Sequence, residues 1–253
     1  MYVTMNPYRL FKKVLLLMAA SIVSPGMLFS QEKTPGVQHM HTNQQAEGTA
    51  LEIRFHKGLE HYHPLMAVWI ENMEGEYIHP LYVARSIARG IFGHARYEEG
   101  RWQPGEKMIP AALPYWSHKR NIPGPDSLYI PTPENPVPDA YTGATPTGDF
   151  VLHTIVADSA GRRFNILFEV NQPWDWNQYW YNSTYPGNTE YLTSAQPAVV
   201  YQATVDLNLD KNTYTMEPAG HSHPYGATGE LFSDLSTLTS ALDIAKKITI
   251  KIK

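Results

Sequence analysis

The chain has 253 residues, 43% of them apolar and 17% charged, with a formal net charge of -4. That length suits one large domain or two small ones, and the lack of a basic excess excludes a nucleic-acid partner from the leading readings. No cysteine is present, which excludes disulfides, thiolate metal sites and a cysteine nucleophile.

At the N-terminus, Arg9, Lys12 and Lys13 precede the apolar run Val14–Val23, and Ser24, Pro25 and Gly26 break it. This is the order and length of a secretory signal. The run falls short of the roughly 20 apolar residues a spanning helix needs. Residues 1–30 are therefore expected to be a signal peptide, cleaved near Ser30–Gln31, with the mature protein periplasmic or secreted. Residues 31–48 are polar and aperiodic and read as a flexible leader. A single domain is expected over 49–253.

Within that domain, Leu51–Phe55 alternates as a half-buried strand does. Pro64–Asn72 reads as the next strand, a turn at Met73–Glu76 follows, and Tyr77–Arg85 returns. Pro80 removes a ladder donor, so this strand should be an edge or be bulged there. The run Arg85–Trp102 fits short helix and loop equally. Asn121–Pro138 is proline-rich and reads as a long irregular segment. Gly148–Asp158 and Arg163–Asn171 read as strands joined by a turn and are expected to pair with each other. Ala198–Asp210 is the clearest strand, and Ile248–Lys253 closes the chain with strict alternation. Ser233–Lys247 places Ser and Asp before leucines and an isoleucine at helical spacing, which predicts one short C-terminal helix. Many strands with almost no helix predict a mainly all-β, immunoglobulin-like β-sandwich.

Three histidine pairs stand at i and i+2: His39/His41, His61/His63 and His221/His223. On a strand each pair would offer two imidazoles to one zinc or copper ion. His39 and His41 fall in the expected leader, and His63 and His223 each precede proline, which favours turns. The segment Asn171–Asn188 is dense in Trp and Tyr. Such a surface stacks sugars, bases or a flavin ring, or covers the end of a β-domain. There is no Gly-x-Ser-x-Gly, P-loop or Gly-x-Gly-x-x-Gly motif, so a carrier or accessory role is expected rather than an enzyme.

The stretch Asp139–Pro146 (DAYTGATP) asks for more than a turn does. Gly143 and Ala144 carry little side chain and permit close approach of another group. Thr145 precedes Pro146 and is biased to extended backbone. Asp139 and Thr142 can fix the turn by local hydrogen bonds. A threonine hydroxyl is a weak nucleophile, so reaction at it needs an outside base and metal.

The pattern Asp-x-x-Thr-Gly-Ala-Thr resembles the target of the periplasmic FMN transferase. The resemblance implies that Thr145 carries covalent FMN through its phosphate, with Asp139, Thr142, Gly143 and Ala144 as recognition positions. Pro146 departs from the usual acceptor pattern, which continues with a small or apolar residue. More widely, segments such as LPYWSHKR, FEVNQPWDWNQYW, QPAVVYQATVDL and GHSHPYG, within Leu51–Lys253, resemble the exported bacterial domain of unknown function 2271. That likeness implies a periplasmic β-domain working near flavin transferases and membrane redox proteins of the PepSY type. The alternative expectation is a non-redox accessory module that binds a sugar, a metal or a membrane partner.

Overall fold

The computed structural model describes residues 36–124 and 127–253. The expected signal peptide and the start of the leader lie outside the described residues.

Twelve strands are present among the described residues: β1 (Gln38–His41), β2 (Gly48–Lys57), β3 (Leu65–Glu71), β4 (Tyr77–Ala84), β5 (Ile91–Glu98), β6 (Arg101–Glu106), β7 (Thr142–Gly143), β8 (Phe150–Ala157), β9 (Arg163–Asn171), β10 (Val199–Asp206), β11 (Thr213–His221) and β12 (Ala245–Ile252). Three short helices join them: α1 (Arg85–Arg89), α2 (Pro114–Arg120) and α3 (Tyr191–Ser194). Ten strands form one sheet in the order β1-β8-β2-β12-β11-β10-β9-β3-β4-β7, and β5 pairs with β6 as a separate arm.

The mainly β expectation stands; the arrangement differs from an immunoglobulin-like sandwich. β11 is the reason. Its first half pairs with β12 (Thr213–Met216 against Ile248–Lys251), and its second half, Glu217–His221, pairs with β10. One strand thus hands the ladder from one half of the sheet to the other. The halves face each other across a core in which Phe55 stacks on Phe150 (ring centroids 4.9 Å apart) and Phe168 (5.7 Å). The two ends of the sheet then meet. Asn43, just after β1, donates its backbone N–H to the carbonyl of Ala140, just before β7, at 3.0 Å. The result is a nearly closed, barrel-like sheet whose edges protect each other.

The expected leader is ordered from β1 onward. β1 pairs in parallel with β8, buries Met40 and stacks His39 and His41 on His153. Its backbone donors and acceptors are satisfied by a neighbour far away in sequence, which composition does not reveal. β4 behaves as Pro80 requires: its register with β3 shifts beside Pro80, and β7 covers only Val83 and Ala84.

The C-terminal helix expected over 233–247 is not formed. The segment holds a 3-10 turn at Ser240–Asp243, and Ala245–Lys247 belong to β12, which pairs with β2. Leu238, Ala241 and Ile244 are buried in the barrel core. Ladder pairing and burial outweigh a weak local propensity.

β9 does not pair with β8 as the short turn between them suggests; it lies between β10 and β3 while β8 lies between β1 and β2, and β9 is buried on both faces. Its outer side, with Trp69 of β3 and Val83 of β4, packs under α1 and α2 through Ile87, Leu113 and Trp116. Glu169 on β9 is fully buried there, and its carboxyl accepts the backbone N–H groups of Tyr115 (3.2 Å) and Trp116 (2.7 Å) at the start of α2. These bonds anchor the helix to the sheet.

Candidate functional site

The DAYTGATP stretch lies where the sheet edge ends. Asp139–Tyr141 is a 3-10 turn, Thr142–Gly143 is β7, and Ala144–Pro146 leave the sheet. Each residue has a distinct environment. Asp139 is exposed and accepts Arg89 Nη2 of α1 at 2.7 Å. That guanidinium holds the Asp139 carboxyl below its ordinary range. Thr142 Oγ1 donates to the Asp139 carbonyl at 3.4 Å, a long contact. Gly143 lies against Tyr82: a Cβ built there would meet the ring at 2.9 Å. Tyr82 OH donates to the carbonyls of Ala144 (2.8 Å) and Gly143 (3.3 Å). The small residue therefore admits a planar group, and that group is the chain's own tyrosine.

Thr145 differs from its neighbours. It is half-buried, and no described residue hydrogen-bonds its hydroxyl. It lines a cleft of about 520 Å³ between the barrel end and the β5–β6 arm. This volume lies in the usual range for ligand pockets, about 300–1,000 Å³. The arm and the segment after it contribute Phe92, His94 and Lys107; β3 contributes Leu65; the segment after β9 contributes Trp174. Asn171 ties the floor together, donating from Nδ2 to the Ala111 carbonyl at 3.0 Å and to Ser194 Oγ at 3.4 Å. Among the described residues, no aspartate or glutamate lines this cleft, and Lys107 is its one Lys or Arg.

A second, larger cleft of about 910 Å³ adjoins it and shares His63, Pro173 and Trp174. Its character is opposite. Glu60, Asp175 and Asp243 line it, with no lysine or arginine among the described residues. Burial pushes Asp175 up to about 8. One of its oxygens accepts the Gln196 N–H at 3.1 Å, while the other is buried with no hydrogen-bond partner among the described residues, an environment that disfavours the charged form. Trp174 is 63% exposed and Trp176 meets it edge to face at 6.1 Å.

Neither a family model, nor a curated protein, nor a solved structure matches this chain. The site must be read from its own geometry.

The histidine pairs do not converge. His61 is buried against Phe55, whereas His63 lines both clefts. His221 stacks on Phe232, and His223 packs against Tyr225. Among the described residues no group of three or more His, Asp or Glu is placed to hold a metal ion. Sequence reading singled out Thr145 and the aromatic segment. It missed Phe92, His94 and Lys107, because Arg85–Trp102 carries no clear period and a lone lysine carries no signal. It also missed Tyr82, which is what makes Gly143 necessary.

Proposed function

We propose that this protein is an exported electron carrier that holds FMN covalently on Thr145, rather than an enzyme acting on a small substrate. The observation that carries the reading is Thr145, whose hydroxyl no described residue hydrogen-bonds, lining an aromatic-walled cleft of about 520 Å³ that has no Asp or Glu among its described lining residues. A phosphodiester is anionic, and Lys107 gives this cleft the sign that suits it. The adjoining cleft, lined by Glu60 and Asp243, disfavours it.

Attachment needs an activated phosphate, because a threonine hydroxyl is weakly nucleophilic. In FAD the FMN phosphate sits in an anhydride. Breaking that anhydride releases AMP as the Thr145 Oγ–phosphorus bond forms, and a base on the transferase takes the hydroxyl proton. Asp139 and Thr142, at the outer rim of the same turn, are the positions offered for recognition. Once bound, the flavin supplies the one- and two-electron chemistry. The chain's part is to hold and shield it, with Thr145 as tether, Phe92 and Trp174 as apolar walls, and Lys107 as the counter-charge. A membrane redox protein of the PepSY type fits as the electron partner in this reading.

Producing the chain with and without an FMN transferase tests it. The intact mass should rise by one FMN less one water only with the transferase, and Thr145→Ala should abolish the rise. One observation favours a second reading. The acidic cleft flanked by Tyr62, Trp174 and Trp176 suits a non-redox module that binds a neutral or cationic ligand. An unmodified wild-type mass would leave that reading in place.

A further inference from the structure

We infer that Trp174 is the stacking platform for the flavin ring, which lies in the cleft between the barrel end and the β5–β6 arm. This rests on FMN being linked at Thr145 and adds where its ring goes and which residue holds it.

A tether at Thr145 opens into a space bounded by few aromatic side chains. His94 is engaged edge to face by Trp102, with centroids 6.2 Å apart. Phe92 is half-buried and packs on the helix-covered core beneath α1 and α2. Trp174 alone among the large rings of this cleft is well exposed, at 63%. It touches Trp176 edge to face, which leaves most of the indole uncovered. An exposed indole face beside a cleft offers the π surface on which a planar ligand stacks.

The backbone supports the same reading. Trp174 has φ of +69°, in the left-handed region that bulky residues avoid. Such outliers persist only when their surroundings over-determine them, and they gather at ligand sites. The surroundings here do so. On one side, Gln172 Oε1 accepts the backbone N–H groups of Tyr62 (2.8 Å) and His63 (3.3 Å). On the other, Gln196 Nε2 donates to the Asp175 carbonyl at 2.6 Å and its backbone N–H donates to Asp175 Oδ1 at 3.1 Å. Both flanks of Trp174 are clamped while its ring is left free. Holding an aromatic surface ready lowers the ordering cost of binding a planar ligand. Charge selects the side of the indole: the phosphate end is favoured toward Lys107 and disfavoured toward Glu60 and Asp243.

An indole stacked on an oxidised flavin quenches its emission by electron transfer, which gives a direct readout. The full chain would be produced with an FMN transferase as wild type, Trp174→Ala, Trp174→Gly, Trp174→Phe and Trp176→Ala. Intact mass gives the extent of attachment, and emission is normalised to flavin absorbance. The wild type should be strongly quenched. Trp174→Ala and Trp174→Gly should raise emission per flavin severalfold, Trp174→Phe should fall between, and Trp176→Ala should match the wild type. Glycine accepts the positive φ without strain, so Trp174→Gly guards against loss of fold. Full attachment with unchanged emission in both Trp174→Ala and Trp174→Gly would overturn the inference while leaving FMN on Thr145 intact. Absence of the FMN mass on the wild type would remove both.

Discussion

Within the DAYTGATP stretch each letter answers to a different force. Gly143 is fixed by packing: Tyr82 occupies the space of a Cβ. Gly143→Ala should therefore destabilise the protein by about 1–3 kcal/mol, the usual cost of overpacking, read by urea unfolding. Thr145 is half-buried, and no described residue hydrogen-bonds its hydroxyl. Thr145→Ala should stay within about 0.5 kcal/mol of wild type while abolishing the FMN mass. Asp139 pairs with Arg89 in solvent, where ion pairs contribute little. Asp139→Ala should leave the melting curve in place and lower the extent of modification. A loss of fold with no specific loss of modification would instead make this aspartate purely a structural brace. The sequence made Thr145 legible as a candidate because its neighbours are small and polar. It could not show that Gly143 serves a tyrosine sixty-one residues earlier.

Among the elements, β9 and α2 depend on a buried acid. Burial, opposed by hydrogen bonds from Trp116, Tyr115 and Ser222, pushes Glu169 up to about 8 from its ordinary 4.5. The folded chain thus holds a proton that the unfolded chain releases. This group's contribution to stability is fully present below pH 4.5 and is lost as pH rises to about 8. Glu169→Gln removes that dependence, so the variant should gain on the wild type steadily between those limits. Urea unfolding at pH 5 and pH 8 checks it, and an equal difference at both would contradict it. Local pattern made β2, β3, β8, β9, β10 and β12 legible, since their alternation or continuous apolar run reports which faces are buried. β1, β7 and the β5–β6 arm were not legible. Two of these strands exist through pairing with distant segments, and the arm buries too little to leave a period. The false helix over 233–247 arose from Ser and Asp positions that serve turns: Ser236 donates its backbone N–H to Asp234 Oδ1 at 2.9 Å.

Across the whole molecule, one continuous sheet closes almost on itself and gathers the segments after β7 and β9 beside the arm. Two adjoining clefts of opposite electrostatic character result, divided by Trp174. Among the described residues no helix is long and apolar enough to cross a membrane. β-rich composition pointed to the fold class, but closure depends on β11 dividing its two halves between different neighbours, a long-range choice that no local window contains. The clefts were equally hidden, because their walls come from stretches far apart in the chain, from Glu60 to Asp243. The central claim is that the Thr145 hydroxyl is the acceptor of a flavin phosphate, and intact mass after co-production with an FMN transferase tests it most directly. The account predicts a gain of one FMN less one water on the wild type, mapped to Thr145 by peptide mass and absent from Thr145→Ala. An unchanged wild-type mass, or the same gain on Thr145→Ala, would contradict it.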